Sequence, residues 1–290
     1  MLSIHELARR RSAVTRALTV VAALLVMIHI GWQLLAYWTG HDYVFGLIKL
    51  FHLNEERNVP ALFSALLLLT AAALLGYITR HEKQRGARDV AKWTVLAIGF
   101  LYMAVDEFGE IHELLIVPGR ELFGDRSFGL FYYAWVIPAT AIVLVLAGYF
   151  LGFLLRLPAR TRLGFIIGGM LFVGGAIGFE LLGGRHHELY GKQNLTYMVY
   201  VIVEESLEMV GVIVFIHALL HHIDQYFAVV PDGGQHAHAR ARGGGCAAGA
   251  GCEPRNPDPA AAYCSNLQRQ GSDAGITIRL EPTLRANRRG

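Results

Sequence analysis

The chain has 290 residues, with 26 Lys and Arg against 23 Asp and Glu for a net charge of +3, and only 17% of it is charged. Hydrophobic residues make up 54% and the mean hydropathy is +0.39. This is too little charge to cover a water-soluble globule, and nothing in it points to a nucleic-acid partner. Membrane lipid is the solvent and the partner the composition implies.

The apolar residues gather into six runs, at residues 18–38, 60–79, 91–110, 130–153, 163–182 and 196–220. At ~1.5 Å per residue each would cross a ~30 Å hydrocarbon core. Membrane strands would alternate in polarity and be about half as long, so the expected fold is all-α, a polytopic transmembrane bundle of six helices over residues 1–227. The first run follows Arg9, Arg10, Arg11 and Arg16 and no small-residue cleavage site comes after it, which reads as a retained signal anchor.

Short loops keep an excess of Lys and Arg on the cytoplasmic side. The basic clusters alternate accordingly: before the first run, between the second and third (Arg80, Lys83, Arg85, Arg88, Lys92), and between the fourth and fifth (Arg156, Arg160, Arg162). Both termini are therefore expected in the cytoplasm of a bacterial inner-membrane protein. Trp32, Tyr37, Trp38, Tyr132, Tyr133 and Trp135 would form an aromatic belt on the periplasmic side. Residues 228–290 lose all apolar periodicity and are expected to form a disordered cytoplasmic tail, whose Cys246, Cys252 and Cys264 have no zinc-site spacing.

An ionisable residue inside a spanning helix costs ~2.5–3.5 kcal/mol on insertion scales, so each one requires a reason. The third run ends in AVDEFGEIHELL, with Asp106, Glu107, Glu110, His112 and Glu113; the fifth ends in GFELLGG, with Glu180; the sixth holds EESLEMVG, with Glu204, Glu205 and Glu208. At ~100° per residue, Asp106, Glu110 and Glu113 would share one helix face, with Glu107 on its flank. The D-E-x-x-E and E-E-x-x-E spacings match. On antiparallel helices the two motifs lie at one outer depth, which predicts a single convergent site.

No Lys or Arg in the spanning runs is placed to pair with these acids. Like charges in a low-dielectric site cannot all stay ionised, so protons or a divalent metal ion must join them. The expected metal ligands are Asp106, Glu107, Glu110, Glu180, Glu204, Glu205 and Glu208, with His29, His112 and Glu113 as additional candidates. For His29 a plain hydrogen bond to a neighbouring helix is the commoner role of such a residue. Gly164/Gly168 and Gly174/Gly178 are small-xxx-small pairs suited to close helix packing, Pro138 should kink the fourth helix, and Asn58 and Pro60 should open the second. His52, Glu55 and Glu56, and likewise His186, His187 and Glu188, need no role beyond that of solvated loop residues.

In this order FHLNEERNVP, DEFGEIHELL, GFELLGG and EESLEMVG resemble a group of uncharacterised bacterial six-helix integral membrane proteins, over roughly residues 9–226. The resemblance implies a shared fold and site and brings no established activity. Ferritin-like di-iron proteins use E-x-x-H motifs that these helices lack. The H-x-x-x-H of alkaline-ceramidase-type hydrolases occurs only as His217/His221, at the end away from the acids.

Three functions follow in order. The first is a metalloprotein, including a membrane metalloenzyme with a free Glu as base for a metal-bound water. The second is a proton- or cation-coupled transporter using the same carboxylates, for which a homodimer would supply the internal repeat that six helices lack. The third is a structural protein with protonated acids as polar glue. The substrate and the small molecule or ion bound are not legible in the residues.

Overall fold

The structure is a computed structural model that describes residues 4–39, 47–55, 57–115 and 129–227, with backbone alone at residues 47, 48, 113 and 115. Residues 1–3, 40–46, Glu56, residues 116–128 and residues 228–290, the last with the cysteines, lie outside the described residues. Every regular element among the described residues is helical. These are α1 (Ile4–Arg9), α2 (Arg11–Thr39), α3 (Leu47–Leu50), α4 (Val59–Gln84), α5 (Val90–Gly109) and α6 (Val136–Arg156). Next comes an unbroken rod of α7 (Ala159–Val173), a π-helical turn (Gly174–Phe179) and α8 (Glu180–Tyr190), and last α9 (Leu195–Tyr226).

Each apolar run lies on a helix, and four helices are long and apolar enough to cross a membrane: α2, α4, α6 and the rod at Ala159–Tyr190. The remaining two, α5 and α9, carry the acidic stretches. Large apolar side chains such as Met27, Leu144 and Met170, 63%, 68% and 71% exposed, cover the outward faces. That is the pattern of a surface made to meet hydrocarbon rather than water.

The bundle is built around α9. Val212, Ile213, Ile216, Leu219, Leu220 and Ile223 are buried along its C-terminal half, against α2, α4 and α7. Opposite them, Leu67, Leu68, Ala71, Leu74, Leu75 and Ile78 form a 3.6-period stripe on α4. Asn58 caps α4 by accepting a hydrogen bond from the Ala61 N–H at 3.1 Å, with Pro60 in the first turn, as expected. Asn194 does the same for α9, accepting from the Tyr197 N–H at 2.9 Å.

Two expectations are corrected. The fourth helix starts at Val136, not near residue 130, so Pro138 falls in its first turn, where no backbone donor is needed and a proline gives no cause for a kink. Of the predicted small-residue contacts, Gly164 and Gly168 do meet α9, at Ala218 and at Gly211 and Phe215, but nothing stands within 4 Å of a Cβ placed on Gly174 or Gly178. Gly175 and Gly211 take their place, because the contact follows a seven-residue step from Gly168 and not the four-residue step read from the sequence. A Cβ on Gly211 would stand 2.7 Å from the Phe172 nitrogen and 2.8 Å from the Gly168 carbonyl oxygen.

The Gly211→Ala variant should therefore lose ~1–3 kcal/mol, the usual result of overpacking, and unfold at lower temperature in detergent. Gly174→Ala should unfold no earlier than wild type. Equal midpoints for the two variants would refute this packing.

Candidate functional site

The acidic end of the bundle begins where α5 stops. Glu110 has a left-handed backbone (φ 56°) and its N–H donates to the Asp106 carbonyl at 2.9 Å, which closes the helix at Gly109. Asp106 then fastens the following turn, accepting from the His112 backbone N–H at 2.8 Å and lying 3.1 Å from His112 Nδ1. Glu110 turns to Arg57, at 3.5 Å. The single face predicted for Asp106, Glu110 and Glu113 therefore does not form: the chain leaves the helix before two of the three, and of Glu113 only the backbone is described.

Glu107 is the residue of this stretch that faces the bundle. It hydrogen-bonds Ser64 of α4 and lies within electrostatic reach of His112 and Asp106. Beside it a cavity of about 10 Å³ opens between Ser64, Leu68, Glu107, Phe172, Glu208 and Met209, about the size of one water molecule.

Glu180 arrives from the rod, as the first residue after the π-helical turn. Backbone hydrogen bonds that span five residues, in place of four, shift the phase of everything that follows. In this register Glu180 accepts from the Trp135 indole N–H at 3.2 Å and shares a side-chain hydrogen bond with Glu204. Gly175 in the turn makes this approach feasible, since a Cβ there would stand 2.8 Å from the Glu204 carbonyl oxygen and 2.9 Å from Glu208 Cγ. Glu205 interacts electrostatically with Glu107 and Glu180, and Glu208 with Glu205, Glu107 and Glu180.

Five partly buried carboxyl groups from α5, α8 and α9 thus gather in one place, with Asp106 and His112 at its edge. A carboxylate only accepts hydrogen bonds, so the Glu180–Glu204 contact requires a proton between them. Among the described residues no Lys or Arg hydrogen-bonds or ion-pairs any of the five, and the charges within electrostatic reach of Glu180 include His112 and Lys192. Nor do any three His, Cys, Asp or Glu side chains, as placed, surround one point closely enough to hold a metal.

Over the cluster lies a polar cover that the sequence did not reveal. Tyr133 Oη is 2.9 Å from His187 Nδ1 and 3.3 Å from Tyr197 Oη, and Tyr197 donates to Asn54 at 3.4 Å. Both tyrosines lie within electrostatic reach of Glu180. The expected aromatic belt accordingly divides: Tyr37 and Trp38 are exposed, while Tyr133 and Trp135 turn inward to the acids.

His29 goes elsewhere. Its Nδ1 accepts from the Leu53 N–H at 3.3 Å and its ring meets His52 edge-on at 4.9 Å. It fastens the FHLN loop to α2 and is not placed among the carboxylates.

Fold and site define an all-helical protein with helices suited to span a membrane and its carboxyl groups collected at one end of the bundle. The chain belongs to the family described as Domain of unknown function (DUF8692), whose profile matches residues 17–223. No curated protein and no solved structure matches it.

The shared proton makes a distinction between two substitutions. Glu204→Gln keeps a neutral partner for Glu180 and should unfold near the wild-type temperature, whereas Glu204→Ala strands a buried carboxyl and should cost ~1–3 kcal/mol. Equal destabilisation of both, measured by thermal unfolding at neutral pH, would show that no proton is shared.

Proposed function

We propose that the protein is a multi-pass membrane protein of six spanning helices with both termini cytoplasmic, and that Glu107, Glu180, Glu204, Glu205 and Glu208 form a cation site on its outer side. In a bacterial inner membrane that side is periplasmic. The observation that carries the reading is the convergence of five carboxyl groups from three helices with no Lys or Arg among the described residues hydrogen-bonded or ion-paired to them. Such a group holds protons when empty and a divalent cation when loaded.

Hard oxygen donors select Mg²⁺, Mn²⁺, Ca²⁺ or an iron pair over softer metals. Loading would displace the proton between Glu180 and Glu204, and side-chain rotation would bring the remaining ligands inward. Asp106 and His112 hold the end of α5 in place beside it. Glu107 and Glu208 border a water-sized cavity, so either is positioned to act as base toward a water there, as hydrolysis of a membrane or periplasmic substrate would need.

A carrier is the second reading, favoured by the His187–Tyr133–Tyr197 hydrogen-bond chain beside Glu180. Inward of Glu208, however, α9 presents Val212, Ile213, Ile216, Leu219 and Leu220, all buried and apolar. Those side chains offer a cation no ligand between the carboxyl groups and the polar residues of the opposite end.

Elemental analysis of the full chain, purified without chelators, should find stoichiometric divalent metal in wild type and its loss in Glu204→Ala and Glu208→Ala. Wild-type protein that holds none, and takes up none from Mg²⁺, Mn²⁺, Ca²⁺ or Fe²⁺, would refute the metal site. In proteoliposomes, a proton or cation flux abolished by Glu208→Gln would place the carrier first.

A further inference from the structure

At the end of the bundle opposite the carboxyl groups, the α4–α5 turn, the α6–α7 turn and the last turn of α9 enclose a cavity of about 290 Å³. Its inner wall is Trp93, Phe153, Leu157 and His222, and its rim is Arg85, Arg88 and Arg156 with Glu82 and Asp89. The wall is rigid: Trp93 packs edge-on against Phe153 at 5.0 Å and lies 5.2 Å from the His222 ring, and His222 is 3.3 Å from Thr161 Oγ1.

The rim charges do not cancel. Arg156 grips Asp89 with two hydrogen bonds of 2.6 and 3.0 Å, and that guanidinium holds the Asp89 carboxyl below its usual range, so the pair stays ionised and mutually neutral. Arg85 donates to the Tyr226 carbonyl at 3.0 Å and lies 4.7 Å over the Phe227 ring, two neutral partners that leave its charge uncompensated. Arg88 makes no hydrogen bond or ion pair among the described residues. Against these two stands Glu82, which leaves the pocket with one positive charge in excess.

We infer that this pocket binds the phosphodiester headgroup of an anionic phospholipid. Charge selects the ester: a phosphodiester carries one negative charge, whereas a monoester carries ~1.5 to 2 at neutral pH. Size agrees, because the volume is at the lower edge of the ~300–1,000 Å³ range of ligand pockets and suits a headgroup, not a whole lipid. Depth agrees as well, since the cavity lies at the ends of α4 and α6, two of the helices apolar enough to cross a membrane. The guanidinium groups of Arg88 and Arg85 meet the phosphate oxygens, for which their planar fork is suited, and the glycerol lies on Trp93 and Phe153.

The test is native mass spectrometry of the full chain in detergent with short-chain phosphatidylglycerol. Arg88→Gln removes no hydrogen bond among the described residues and should weaken lipid binding roughly tenfold. Lys83→Gln, an exposed neighbour outside the cavity lining, should leave it unchanged. Equal binding by wild type and Arg88→Gln, or an equal loss in Lys83→Gln, would overturn the pocket. Displacement of the lipid by an equal concentration of inorganic phosphate would overturn the headgroup assignment.

Discussion

Five carboxyl groups gathered in one bundle, with no Lys or Arg among the described residues hydrogen-bonded or ion-paired to them, are the constraint to which the rest of the structure answers. Each must find a proton, a hydrogen-bond donor or a cation. Ser64, Trp135 and the second carboxyl of the Glu180–Glu204 pair are the donors the protein supplies. Holding α8 and α9 near enough for that pair requires a nearly bare interface, which Gly168, Gly175 and Gly211 provide. The most buried helix is accordingly the one with the most acids.

Much of this was legible in the residues. Runs of apolar residues marked every long helix, Asn58 and Pro60 marked the start of α4, and the acidic stretches marked the helices that bring Glu107, Glu180, Glu204, Glu205 and Glu208 together, although Asp106 stays at the edge and Glu110 turns to Arg57. Helical periodicity fails where the chain stops being a regular helix, and it does so twice beside the site. A left-handed residue ends α5 at Gly109 and sends Glu110 to Arg57; because that residue is Glu and not Gly or Asn, no turn signal announced it. The π-helical turn has no sequence signature beyond its glycines, and it sets the register in which Glu180 meets Trp135 and Glu204.

Long-range partners were the other hidden part. His187 and Tyr133 are 54 residues apart and Tyr197 and Asn54 are 143 apart, distances over which a single sequence carries no pairing information. His29, for which a plain hydrogen bond was the commoner role, accepts one from the Leu53 N–H of a loop that the sequence did not single out as its partner. The basic end likewise gave its charges to the sequence but not its cavity, which exists only because three turns from distant parts of the chain meet there.

The π-helical turn also has a mechanical consequence. Its extra residue can travel along a helix by exchanging a few backbone hydrogen bonds at a time, without unwinding the rest. Were it to pass beyond Glu180, that side chain would swing by about 100° around the rod and part from Glu204. Gly174, Gly175 and Gly178 line the turn and carry no side chains to resist the passage. Such a passage would tie the contact between the two carboxyl groups to the winding of the rod.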